Sequence, residues 1–321
     1  MHIPPQYIKN LKIPYSFQVT ALHDEDMIRQ FAVLADGFED TGDFILDVDI
    51  HTYREITSDD EPLLLEEKNL HSLFSLMDGT RYPYFKTQQT APATMGFSIR
   101  GSDGKQLINR HMFHFFESLM RRIAMGQYEH LSKFCDSIII CQDDPGLGFV
   151  KQMVESGHLT DLSLEQIVKM TDGIYPNQVI PAYHFCDDWR NLVHDGWYPL
   201  WESRIKIIHM DVIRYPPTID SEQTEKINEF LKKGGGLALG VLPNVDDAFE
   251  KPVLDTLRDN LIRIFTDFHK SGVDLELVKN NTMISTQCGL SGASPKLTRE
   301  IHDLSWEFRT IYMEQIEQLV R

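Results

Sequence analysis

The chain has 321 residues, 42% hydrophobic and 25% charged, enough to bury one large core or two small ones, with no bias toward disordered or fibrous composition. A balance of 31 basic against 48 acidic residues leaves a formal charge of −17, which repels phosphate backbones and excludes nucleic acid as an expected partner. Apolar runs such as Ser137 to Cys141 are too short to cross a bilayer, and Met1-His2-Ile3-Pro4-Pro5 lacks the basic and apolar parts of a secretory signal. The expectation is therefore a cytoplasmic protein with no membrane partner. Four cysteines, Cys135, Cys141, Cys186 and Cys288, do not make a disulfide framework in so long a chain, and in a reducing compartment they point to metal binding or reactivity.

In chain order, short β-rich runs alternate with longer amphipathic stretches. The pattern predicts a strand at Tyr15 to Leu22 before a helix at Asp24 to Leu34, then a strand at Phe44 to Ile50 before a helix at Glu61 to Met77. Pro83 to Thr87 precedes Leu107 to Phe134, Ser137 to Cys141 precedes Gly146 to Thr171, and Gln178 to His184 precedes Trp189 to Glu202. Ile205 to Asp211 leads to Ser221 to Lys232, Gly236 to Leu242 to Val253 to Ser271, and Thr282 to Thr286 to Lys296 to Val320. Ser221 is placed to cap its helix, and Gly234-Gly235-Gly236 ends that helix with positions tolerant of positive φ. No Lys-Ser/Thr follows the triple glycine, so it is not read as a phosphate loop.

Eight strand-then-helix repeats predict an α/β chain folded as one (β/α)8 TIM barrel, with an open doubly wound sheet as the alternative. No linker, composition break or repeat divides the chain, so residues 1–321 are expected to form a single domain. Barrel enzymes carry their chemistry on loops after the carboxyl ends of the strands. The polar candidates fall there: Gln88 and Gln89 after the third run, Asp143 and Asp144 after the fourth, His184 and Cys186 after the fifth. His209 and Asp211 end the sixth, Pro243-Asn244 follows the seventh, and Cys288 follows the eighth. Residues two apart on a strand share a face, so His184 and Cys186 can hold one ion, zinc being the first candidate. A packed histidine beside a buried thiol is the alternative at this point.

The residues also carry a family likeness. Gln88-Gln89-Thr90-Ala91-Pro92-Ala93-Thr94, Ile138-Ile139-Ile140-Cys141-Gln142-Asp143-Asp144-Pro145-Gly146-Leu147, His184-Phe185-Cys186-Asp187-Asp188-Trp189, Gly235 to Pro243 and Ser285 to Leu290 resemble, in that order, the cobalamin-independent methionine synthase and uroporphyrinogen decarboxylase superfamily. The likeness runs from about residue 80 to the C-terminus, and residues 1–80 diverge: the Gly-Ser-Phe/Tyr-Pro entry motif is absent, with Tyr15-Ser16-Phe17 at best a remnant. The resemblance implies a barrel and, in the methyl-transferring branch, zinc held by His184, Cys186 and Cys288, with Asp211 at the family's acidic position. Methionine synthases have Glu there, so a shorter Asp sits back from the ion or leaves the site open. The resemblance also makes Asp143-Asp144-Pro145 the turn that holds a substrate amino acid.

Two thiolates on zinc favour alkyl transfer over hydrolysis, because they keep a bound sulfur nucleophilic where an all-histidine site would activate water. Asp143 or Asp144 is suited to pair with the ammonium of homocysteine, while Gln88, Gln89, His209 and Asn244 offer hydrogen bonds to substrate. The leading expectation is a zinc-dependent methyltransferase acting on a small thiol, with a methylcorrinoid protein or a methylated folate as donor. The alternatives are a metal-free enzyme similar to uroporphyrinogen decarboxylase, and a non-catalytic barrel that binds a corrinoid or a protein partner.

Overall fold

The computed structural model describes residues 5–320. The chain gathers into two compact units, one of residues 13–181 and one of residues 182 onward with the short helix Pro5–Lys9.

In the first unit, β1 (Phe38–Asp40) and β2 (Phe44–Leu46) form an antiparallel hairpin. Strands β3 (Tyr82–Thr90) and β4 (Cys135–Asp143) pair in parallel from Tyr82↔Cys135 to Thr90↔Asp143. The helix Arg110–Leu131 provides the crossover, opened by the Asn109 side chain, which accepts from the Met112 N–H. Its buried stripe of Met112, Phe116, Leu119, Met120 and Ile123 has helical spacing, and each large apolar side chain so buried contributes about 1.5–3 kcal/mol. Strand alternation turns Thr87 and Gln89 toward that helix, where both bond to Gln127.

The second unit holds four parallel strands paired in chain order: β5 (Ile180–His184), β6 (Ile207–Asp211), β7 (Gly236–Leu242) and β8 (Thr282–Thr286). Ile208 and Met210 on β6, with Leu237, Leu239 and Val241 on β7, are fully buried. So are Leu257, Leu261, Ile264, Phe265 and Phe268 of the helix Val253–Ser271. The same alternation leaves His209 and Asp211 together on the opposite face of β6. Opposite them β7 offers only small residues, in the register His209↔Ala238 and Asp211↔Gly240.

The protein is thus α/β with parallel strands, but six parallel strands are present among the described residues, not the eight of a complete (β/α)8 barrel. The first two predicted barrel strands are the ones that fail. Residues 15–22 make a single bridge, Tyr15↔Lys86, because side chains satisfy the backbone that a neighbouring strand would need. The Ser72 hydroxyl accepts from the Phe17 N–H and donates to the Phe17 carbonyl, and the Glu25 carboxylate accepts from the Val19 N–H. The second run stops at Leu46 in its hairpin, since Asp49 caps the helix Ile50–Ser58 through the His51 and Thr52 N–H groups.

The helical expectations shift in the same way. The predicted helix from 146 to 171 divides into Leu147–Glu155 and Leu164–Asp172, the latter begun by a reciprocal Ser163–Gln166 capping box. Residues 189–202 keep only a turn at Trp189–Asn191 and the short helix Pro199–Glu202. Ser221 is the first helical residue and not the cap, since the Asp220 side chain accepts from the Gln223 N–H. Gly234 takes φ +83° where the helix Ser221–Lys232 ends, as the triple glycine leads one to expect.

Candidate metal centre

His184 is the last residue of β5, and Cys186 follows it on the same side of the extended chain. Cys288 comes two residues after β8 ends. One nitrogen and two sulfurs from these residues lie within 4.8 Å of one another, and Cys288 Sγ is 3.5 Å from His184 Nε2. Donor atoms around a tetrahedral zinc stand about 3.4–3.8 Å apart for bonds of about 2.0–2.3 Å, so these three groups fit such an ion with little adjustment. Among the described residues, no other set of three His, Cys or carboxylate donors gathers this closely.

The electrostatics suit a cation. The Cys288 thiol is lowered from its usual 9.0 to about 4, first by a hydrogen bond from Cys186 and next by one from His184. Partial burial of the sulfur opposes that shift, although the residue as a whole is exposed. His184 is buried, and its ring stacks on that of His209 with centroids 4.2 Å apart, as their direct register pairing requires. A carbonyl only accepts, so His209 Nε2 carries the hydrogen it donates to the Thr286 carbonyl at 2.9 Å. That bond ties β6 to the end of β8, just before Cys288.

Asp211 does not join the three donors. Its Oδ1 accepts from the Ile213 N–H at 3.1 Å and the Arg214 N–H at 2.9 Å, fixing the turn after β6. Gln287 Nε2 donates to both of its oxygens at 3.1 Å. Gln287 reaches across β7 because Gly240 has no side chain: a Cβ there would stand 2.8 Å from Gln287 Cα and 2.8 Å from the Met210 carbonyl oxygen. Asn244 is tied to the same loop, its Nδ2 donating to the Gly289 carbonyl at 3.1 Å. Behind Cys186, Asp188 caps the turn Trp189–Asn191 and pairs with Arg190, while the buried Trp189 donates from Nε1 to the Tyr215 carbonyl at 3.0 Å.

Gln88, Gln89, Asp143 and Asp144 belong to the unit of residues 13–181. Gln89 is buried, and its amide bonds to the Met120 carbonyl and to Gln127, which gives it a packing role. Gln88 is half-buried and accepts from Lys86 Nζ at 2.8 Å. The two aspartates separate by environment. Asp144 is fully buried and accepts from the Thr94 hydroxyl at 2.6 Å, and that hydroxyl in turn accepts from the Gly146 N–H. Asp143 is half-buried, with the Cys141 thiol 3.5 Å from its Oδ1. Burial pushes the Cys141 thiol well above the ordinary range and Cys135 up to about 12, so neither is prepared as a ligand.

Sequence reasoning did not single out Gln287, whose amide holds the Asp211 carboxylate. Its only local signal is its place immediately before Cys288, and its partner Asp211 is distant in sequence.

No protein-family model matches the chain, and no curated protein matches it. Among solved structures it is similar to a B12-independent methionine synthase from Shewanella sp. W3-18-1, solved in complex with selenomethionine. The two are 18% identical, with a TM-score of 0.46 over 74% of this chain. The match takes in 63% of the other chain, so this chain spans less than two thirds of that relative's length. A likeness of that extent carries no residue correspondence, and the chemistry below comes from the side chains themselves. Among the described residues no helix is long and apolar enough to cross a membrane.

Proposed function

We propose that this chain is a zinc-dependent methyltransferase that moves a methyl group onto a small thiol, homocysteine foremost, from a methylcorrinoid protein or a methylated folate. The observation that carries the reading is the convergence of His184, Cys186 and Cys288 from two strand ends to ligand spacing, with two thiols among the three donors. The motif order that resembles cobalamin-independent methionine synthases supports the direction of the chemistry. His184, Cys186 and Cys288 would hold the zinc, and a zinc ion bound to one imidazole and two thiolates would help an incoming thiol ionise near neutral pH while leaving its sulfur electron-rich.

The chain's own residues then have distinct tasks. Cys288 receives hydrogen bonds from Cys186 and His184, which hold it as an anion at neutral pH and ready it as a ligand. The His209 ring, anchored to the Thr286 carbonyl, fixes the plane of the His184 imidazole against which it stacks. Asp211 and Gln287 brace the loop that presents Cys288, and three protein ligands would leave a fourth position on a bound zinc for substrate. Asp143 is assigned to the ammonium group of an amino-acid acceptor, an assignment taken from its motif.

The test loads the protein with zinc, adds small thiols at pH 7, and follows proton release together with transfer of labelled methyl from each donor class. The true acceptor releases close to one proton per site, since a thiol must ionise to coordinate, and becomes methylated. Absence of methylated thiol from both donor classes overturns the proposal.

A further inference from the structure

The two ligand thiols are also placed to react with each other. Cys186 and Cys288 are within hydrogen-bond reach, and their sulfurs belong to a donor group whose atoms all lie within 4.8 Å of one another. A disulfide needs a sulfur separation of about 2.05 Å, so no more than about 2.8 Å of closure is required, on a loop where Cys288 is exposed. The loop is open beside Cys288, since Gly289 is exposed and a Cβ there would meet nothing within 4 Å beyond its own chain neighbours. The remaining thiols are sequestered: Cys135 and Cys141 are both buried.

We infer that Cys186 and Cys288 form a reversible disulfide when the chain meets a hydroperoxide, a modification that consumes the two sulfurs a metal ion would need. In the first step the Cys288 sulfur attacks one peroxide oxygen, and the O–O bond breaks. The sulfur loses two electrons and becomes a sulfenic acid, and the other oxygen departs as an alcohol, or as water from hydrogen peroxide, taking the thiol's proton or, when the sulfur is already a thiolate, one from solvent. In the second step the Cys186 sulfur attacks that of Cys288, the S–O bond breaks, and hydroxide departs with the Cys186 proton as water. Two thiols and one hydroperoxide thus give one disulfide, one alcohol and one water. Cys288 reacts first because it is exposed, and the half-buried Cys186 resolves it.

The experiment treats the full, metal-free chain with one equivalent of hydrogen peroxide. Intact mass should fall by two hydrogens, a non-reducing peptide map should join Cys186 to Cys288, and dithiothreitol should restore both thiols. In Cys186→Ser, a sulfenic-acid trap should label Cys288 instead, and Cys288→Ser should give no cross-link. Zinc-loaded protein, an arm that rests on the function proposed above, should release its zinc in step with disulfide formation. A wild-type product that stops at sulfenic acid, that joins Cys135 or Cys141, or that links two chains overturns the inference. If the chain binds no zinc yet forms the Cys186–Cys288 bond, the metal reading fails and the disulfide stands.

Discussion

Asp211 separates a bracing role from a ligand role, and two substitutions read the difference. Its carboxylate is only 8% exposed and accepts from three donors, the N–H groups of Ile213 and Arg214 and the Gln287 amide. A hydrogen bond to a charged acceptor is worth about 1.5–3 kcal/mol, so Asp211→Ala, which orphans the two backbone donors and leaves the half-buried Gln287 amide to turn toward water, should cost about 3–6 kcal/mol of stability. Asp211→Asn keeps an oxygen for the two backbone donors, and the Gln287 amide can flip to accept from the new side-chain nitrogen. Its cost is the difference between charged and neutral bonds, about 1–2 kcal/mol. Zinc affinity should hardly change in Asp211→Asn, because the three donors do not include this residue. Urea unfolding gives the stabilities, and competition with a chromophoric chelator gives the affinities. If Asp211→Asn loses zinc as completely as Cys288→Ser while its urea midpoint stays at the wild-type value, Asp211 is a ligand and the bracing argument is refuted.

Three further outcomes follow from the geometry. Gly240→Ala places a methyl group about 2.8 Å from backbone atoms of Gln287 and Met210, so it should destabilise by about 1–3 kcal/mol and weaken zinc binding by displacing the Cys288 loop; unaltered zinc affinity would show that the close approach is not needed. In metal-free protein, Cys288 alkylation should stay fast as pH falls below 9 and fail only near 4, and Cys186→Ala should move that midpoint upward. The folded-state pKa of Cys288 is depressed, so its stabilising contribution is full above the unfolded value near 9 and is lost as pH falls toward 4; an ordinary thiol profile would contradict this. Glu25→Gln, at a fully buried carboxylate that accepts from Val19 and from both the backbone N–H and the ring Nδ1 of His71, sets an amide donor against N–H groups and should cost about 2–4 kcal/mol by urea unfolding. A cost within about 0.5 kcal/mol, the range of ordinary surface changes, would show that the clamp adds nothing.

Much of the parallel framework was legible because its signals are local. Gly236–Leu242 and Thr282–Thr286 stand where their apolar runs and flanking glycine or asparagine put them, and the helix Val253–Ser271 has the boundaries its periodicity predicts. The first two barrel strands were misread because apolar alternation shows which residues favour extension, not what satisfies their backbone. Ser72 and Glu25 capture Phe17 and Val19, and the Ser72 contact spans more than fifty residues of sequence. The metal-type donors were legible from side-chain chemistry and strand-end position. The bracing of Asp211 was not, because it depends on a missing side chain at Gly240 that lets Gln287 through. Nor does a pair of adjacent aspartates reveal that Thr94 ties down one of them and leaves the other at the half-buried surface.

The most direct test of the central claim is the zinc content of protein purified without added metal, measured beside its cysteine variants. The account predicts about one zinc per chain in the wild type. It predicts substantial loss in Cys186→Ser and in Cys288→Ser, with circular dichroism unchanged, and retention in Cys141→Ser, whose thiol is buried on β4. Folded wild-type protein without zinc, or full zinc retained by both ligand variants, would contradict it.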